Sequence, residues 1–316
     1  MNIAYDRRLP DPCYAVLHIS PGPTRGETLD SPLIVTETAP RFDLNEVMWI
    51  ERLDVKLSKN IQQACEPPHY RIDKDGVDRH LYAFIRRVPK SEKTRYEGMT
   101  ELLTVAGFSR LIHPTSIGER YCALLFDFGL PDTGIQAIQF LGTSPDIFLA
   151  NNRQNWLSVE DGKTLRKFLP WLSKPMHKRV HRAYWNHEYA LRSYYLDARW
   201  IHAVSGLEAL INVDNKDNKA QFRERVEKLA LEFKVTLSRE ELTKAYDLRS
   251  KLVHGAGFLF DLTPTLPQDQ HSPLYVKLES VLRCTLRRCL LDESFGNRFR
   301  NDQTVVTNFP MSSKLK

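Results

Sequence analysis

From Glu160 to Leu291 apolar residues recur at three- and four-residue spacing, and that periodicity leaves a chain little choice but packed helices. The spacing predicts helices over Glu160–Leu172, Pro175–Glu188, Leu191–Ile211, Lys219–Lys234, Arg239–Val253 and Pro273–Leu291. Start and stop signals agree with it. Pro175 stands near a first turn, Ser238 with Glu241 three positions on forms a capping box, and Gly255 follows a last turn.

The chain ahead of this stretch has another texture. Pro10, Pro12, Pro21, Pro23, Pro32 and Pro40 forbid long helices before residue 41 and predict loops with short strands. Asp43 is expected to cap a helix that buries Val47, Ile50, Leu53, Leu57 and Ile61, with Pro67 and Pro68 as its stop. Alternation around Lys74-Asp75-Gly76 predicts a hairpin over His69–Val88. Tyr121–Phe128 is expected as a buried strand, and Ile135–Leu141 as a short helix or another strand. The fold class expected is α+β: residues 1–157 a mixed α/β domain, 158–294 an all-helical bundle, and 295–316 a flexible tail with little periodicity.

Charge divides the same way. Residues 151–316 hold 28 Lys+Arg and 19 Asp+Glu, against 17 and 20 in residues 1–150, so the helical part is the basic one. A basic surplus suits a polyanion through counterion release, although a solvated surface accounts for it equally. Cys13, Cys65, Cys122, Cys284 and Cys289 are scattered and odd in number, which points to reduced thiols. No apolar run is long enough to span a bilayer, and no signal-peptide core follows the start, so a cytoplasmic protein with no membrane partner is expected.

The segment Tyr246-Asp247-Leu248-Arg249-Ser250-Lys251-Leu252-Val253-His254-Gly255 carries the chemistry. It resembles the signature of HEPN domains: an arginine, a polar residue, a few spacers and a histidine. Upstream, Trp200–Ile211 with its Leu207-Glu208-Ala209-Leu210 core is similar to a helix of the ApeA-like branch, and Phe222-Arg223-Glu224-Arg225-Val226 resembles the helix after it. The resemblance covers roughly residues 175–292 and nothing of the first 150. It implies an all-α HEPN bundle, a composite site across a homodimer of the helical domain, and RNA as the partner cleaved. It also implies a defence setting, abortive infection or a toxin–antitoxin pair, in which the front domain senses an unidentified trigger or a regulatory protein.

The residue types fit metal-independent RNA cleavage. Histidine ordinarily titrates near neutrality and can move the 2′-hydroxyl proton, which is the role expected of His254. Arg249 offers a fork that binds two phosphate oxygens, and Ser250 a hydroxyl that assists. Tyr246 and Lys251 are expected to touch substrate, with Glu208 and Asp247 supporting from behind. No metal and no cofactor are called for. An ideal helix turns Arg249 and His254 about 140° apart, so two copies of the motif facing one another are expected to complete the site. Plainer readings stand beside these: His254 as a helix cap, Arg249 paired with Glu208 or Asp247, and the domain as a dimerisation or RNA-binding module without turnover.

His177, His181 and His187 lack the His-Glu-x-x-His pattern and, amid Lys178, Arg179 and Arg182, read as a solvated basic face. Tyr184, Trp185, Tyr189, Tyr194, Tyr195 and Trp200 interleave with these charges. Helix packing accounts for most of them, and base stacking is the lesser reading.

Overall fold

Cys13–Ser20 (β1) reads Cys-Tyr-Ala-Val-Leu-His-Ile-Ser, and Ala15, Val16, Leu17 and Ile19 are all fully buried. A strand apolar on successive residues must be covered on both faces, and β1 is indeed interior. It pairs antiparallel with Tyr82–Val88 (β4) on one side and Gly118–Phe126 (β5) on the other. Arg41–Asp43 (β2), Met48–Arg52 (β3) and Gly134–Phe140 (β6) complete a six-stranded antiparallel sheet in the order β2-β3-β4-β1-β5-β6. The computed structural model describes residues 12–20, 39–65, 82–89, 92–113, 118–128, 133–140, 157–193, 195–213, 217–257 and 268–312. The chain divides into two compact units, Met1–Leu172 and Ser173–Lys316.

In the first unit the pleat sends alternate residues to opposite faces. Val16, Ile85, Ala123 and Leu125 pack with Ile61 of Val55–Cys65 (α1) on one face. Glu92–Ile112 (α2) covers the other, where Gly98 approaches Ala15 and Val88. The helix expected to start at Asp43 starts instead at Asp54, whose carboxylate accepts from the Lys56 N–H at 2.8 Å. Val47 to Arg52 belongs to the β2–β3 hairpin, because Trp49 and Ile50 are buried in the sheet. The turn at Lys74-Asp75-Gly76 lies outside the described residues, as does most of residues 1–41. Of the two alternatives for Ile135–Leu141, helix or strand, the described residues through Phe140 take the strand and belong to β6.

The domain boundary also moves. Val159–Phe168 (α3) and the 3-10 turn Leu169–Leu172 belong to the first unit, not to the helical one expected from residue 158. The reason is burial. Leu165 and Phe168 are fully enclosed, and the Phe168 ring meets Phe108 of α2 edge-on at 5.9 Å. Asp161 closes the capping box on Ser158 and also contacts His113 Nε2 at 3.0 Å. Burial alone would raise the Asp161 pKa, but the His113 and Ser158 hydrogen bonds outweigh it and lower it to about 2.

The second unit is helical: Lys178–Arg192 (α4), Leu196–Ile211 (α5), Asn218–Glu232 (α6), Arg239–Val253 (α7) and Gln268–Leu291 (α8), followed by Glu293–Asn297 (α9) and Asp302–Asn308 (α10). The tail expected to be flexible from 295 is folded as far as the described residues go. Phe295, Phe299 and Phe309 are buried, with the rings of Phe299 and Phe309 stacked at 5.6 Å. Phe295 within α9, Phe299 between the two short helices and Phe309 just past α10 show no periodicity, yet their burial is enough to fix the segment. Among the described residues no helix is long and apolar enough to cross a membrane.

Candidate functional site

Helix α7 opens on the capping box of Ser238 and Glu241 and turns Leu242, Ala245 and Leu248 inward. The indole N–H of Trp200, itself fully buried on α5, donates to the Ala245 carbonyl at 3.1 Å. That bond sets the register of α7 against α5. One turn beyond Ala245, Arg249 meets α5 at Ser205 and Glu208.

Arg249 Nη2 lies 2.7 Å from Glu208 Oε2, with side-chain exposures of 26% and 12%. The alignment is that of an ion pair and not of a hydrogen bond, because this buried oxygen has no hydrogen-bond donor. Arg249 Nε donates to Ser205 Oγ at 3.4 Å, and the Tyr246 hydroxyl bonds Glu208. Burial raises the Glu208 pKa, opposed by the Arg249 charge and the Tyr246 hydroxyl. Tyr246 is raised in turn, by burial and by the Glu208 charge, and its ring tilts on Phe222 at 5.5 Å. The expectation that Glu208 and Tyr246 stand close to Arg249 therefore holds in space.

Arg249 and Glu208 line a cleft of 630 Å³. Helix α4 contributes Lys178, Arg179, Arg182 and Asn186 to its wall, and Asp302 of α10 reaches it as well. Arg179 is committed structurally. Its Nη1 donates to the carbonyls of Ala209 at 3.1 Å and Asn212 at 2.7 Å, and its Nη2 pairs with Asp302. Those carbonyls end α5, where a cation opposes the negative pole of the helix. Arg225 donates to the neighbouring Ile211 carbonyl at 2.7 Å, so two guanidinia close this helix.

His254 is the C-cap of α7, and its side chain is exposed. The Gly255 N–H donates to Leu252 O and the Ala256 N–H to Lys251 O, the paired bonds of a Schellman turn, with Gly255 at φ +68°. The turn ends the helix at the histidine and directs the chain away. His254, Ser250, Lys251 and Asp247 do not line the cleft that holds Arg249. Asp247 pairs with Lys219 at 2.7 Å on a half-exposed face, so it does not support Arg249. One copy of the chain therefore brings Arg249, Glu208 and Tyr246 together and leaves His254 apart.

Among the described residues no group of three His, Cys, Asp or Glu side chains is arranged to hold a metal ion. His177 bonds Asn297, His181 accepts from Trp185 Nε1, and His187 is buried against Glu279 at 3.1 Å, so the three do not form one solvated face. The wall of the cleft was legible in part. Lys178, Arg182 and Asn186 repeat every fourth residue and therefore share a face of α4. Ser205 carries no sequence signal, since its place follows only from the register between α5 and α7. Trp200 and Tyr184 are buried as packing predicts, whereas Trp185, Tyr189 and Tyr195 are exposed. Tyr194 lies outside the described residues. No protein-family model, no curated protein and no solved structure matches the chain.

Proposed function

We propose that the chain is a metal-independent endoribonuclease of the ApeA-like HEPN type, working as a homodimer of its helical unit. The observation that carries the reading is the position of Arg249: a guanidinium reached by solvent in a basic cleft, on the helix that ends in an exposed His254. Phosphate binding requires a cation that is accessible, and proton transfer requires an imidazole that is accessible. Both conditions are met.

In this reaction one imidazole takes the proton of a ribose 2′-hydroxyl. The freed oxygen attacks the adjacent phosphorus, and the bond to the 5′-oxygen breaks. A second imidazole protonates that leaving oxygen, while the Arg249 guanidinium stabilises the charge gathering on the phosphoryl oxygens. The products are a 2′,3′-cyclic phosphate and a 5′-hydroxyl. Two imidazoles require two copies of His254, and the separation of His254 from the Arg249 cleft within one chain supports a site shared across a twofold axis. Ser250 and Lys251 flank the phosphate in that assembly. By resemblance, the setting is antiviral defence, with host or phage RNA degraded and growth arrested, and the α+β unit answers to a trigger.

One observation favours a second reading. The Arg249–Glu208 ion pair already satisfies the guanidinium inside its own chain, as a scaffold would need. On that reading the helical unit dimerises or binds RNA without turnover. Labelled RNA incubated with the protein in EDTA, beside His254→Ala and Arg249→Ala variants of verified fold, separates the two. The nuclease reading expects cleavage that survives EDTA and falls at least about 100-fold in each variant. Equal cleavage in all three samples contradicts it.

A further inference from the structure

The cleft beside α4 contains two cations that no described residue partners. Lys178 and Arg182 both line it, both are exposed, and neither makes a hydrogen bond or ion pair through its side chain among the described residues. Their neighbours differ. Arg179 is consumed by the end of α5 and Asp302, and Arg249 is paired with Glu208. Each carboxylate of the cleft is thus answered by its own arginine, and the surplus positive charge belongs to Lys178 and Arg182. Such a surplus suits a polyanion that arrives from solution.

The same helix face continues past the cations. Lys178, Arg182, Asn186 and Tyr189 follow one another at four-, four- and three-residue spacing, with Trp185 beside Asn186. Trp185 is 42% and Tyr189 51% exposed, and their rings lie 5.9 Å apart at an interplanar angle of 32°. Aromatics of this size are normally buried by packing, and here two neighbours leave ring surface in solvent next to Lys178 and Arg182. The Asn186 amide is held from both sides, donating to the Arg182 carbonyl at 2.9 Å and contacting His202 Nδ1 through its oxygen at 3.1 Å. This fixes the middle of the stripe.

We infer that this face of α4 seats the single-stranded RNA flanking the phosphate at Arg249, with Lys178 and Arg182 holding phosphates and Trp185 and Tyr189 stacking bases. The inference rests on the nuclease reading for the identity of the anion, and it adds where the strand runs. From Lys178 to Tyr189 the helix rises about 16 Å, enough for more than one nucleotide. A single strand fits better than a duplex, because exposed ring faces stack only on bases that are already unpaired. The affinity is carried by phosphates and ring faces, so the seat tolerates any base sequence.

The test uses the full chain and a fluorescent oligoribonucleotide made uncleavable by 2′-O-methylation, read by anisotropy across a salt series. Lys178→Gln with Arg182→Gln is expected to weaken binding at least about tenfold at low salt. It should also reduce the salt slope of log affinity by about 1.4, the value for two phosphate contacts on a single strand. Trp185→Ala is expected to weaken binding at least about fivefold with the salt slope unchanged. Unchanged affinity and slope in the double variant overturn the inference. So does a change from dimer to monomer by light scattering in that variant, which would make the face a contact between copies of this chain. The two proposals fail separately. Binding lost in the variants while the wild type never cleaves RNA ends the nuclease reading and leaves the seat standing. Cleavage that survives EDTA with binding indifferent to Lys178 and Arg182 does the reverse.

Discussion

Glu208 decides how available Arg249 is. Its carboxyl is mostly buried, and burial holds its pKa above the ordinary value near 4.5. The folded protein therefore binds this proton more tightly than the unfolded chain does. The stability that follows is fully present below about pH 4.5 and is lost as pH rises through the higher folded value. Glu208→Gln removes the titration. Glutamine mimics the protonated carboxyl, so the melting temperature of this variant should rise relative to wild type as pH goes from 4.5 toward 7, and a wild type that gains on the variant would contradict the assignment. The same variant frees Arg249 and is expected to tighten RNA binding by no more than about fivefold, the worth of a partly exposed ion pair. At this scale the sequence supplied the partners but not the choice between them. Glu208 and Asp247 were equally open as acids for Arg249, and only the bond from Trp200 to Ala245 selects Glu208, leaving Asp247 to Lys219. Arg179 was not legible as a helix cap, because its partners are carbonyls at the end of another helix and carry no side-chain signal.

Helices were most legible where periodicity and capping coincide. Helix α7 runs over Arg239–Val253 as its Ser238 box and Gly255 stop predict, and Lys219–Lys234 differs from α6 only at the ends. The β2–β3 hairpin reads as helix because Val47, Ile50, Leu53 and Leu57 fall at three- and four-residue spacing across the end of a strand and the start of α1, whereas in the strand Trp49 and Ile50 are both buried. Among the described glycines the one with least room for a side chain is Gly206 of α5. A Cβ there would stand 2.7 Å from Leu282 Cδ2 on α8 and 3.3 Å from Asn186 Cβ on α4. Leu282 is fully buried, so its side chain must repack within the core to make room. Gly206→Ala is therefore expected to destabilise the helical unit by about 1–3 kcal/mol in urea unfolding, despite the better helix propensity of alanine. A neutral or stabilising result would show that α5 and α8 can separate without loss. Because Asn186 faces the same glycine, the variant should also disturb the cleft and weaken RNA binding.

At the scale of the whole molecule the sequence indicated two units and their classes, an α+β unit followed by a helical one, and missed where one ends. Helical texture begins near Glu160, but Leu165 and Phe168 of α3 are buried with the α+β unit. Texture reports local periodicity, whereas membership is set by which surface covers the apolar face. A fragment of residues 1–172 is thus expected to be soluble and to unfold cooperatively, while 1–157 exposes the surface around Phe108 and aggregates. Similar solubility of the two by size-exclusion chromatography would place α3 elsewhere. The excess of Lys and Arg over Asp and Glu in residues 151–316, and the cleft that concentrates part of it, suit the helical unit to an anionic substrate. Whether that substrate is cut is settled most directly by mass spectrometry of the RNA products formed in EDTA. The account predicts 2′,3′-cyclic phosphate and 5′-hydroxyl ends from the wild type and intact RNA from His254→Ala. Products ending in a 3′-hydroxyl, or the same cyclic ends from the variant, would contradict it.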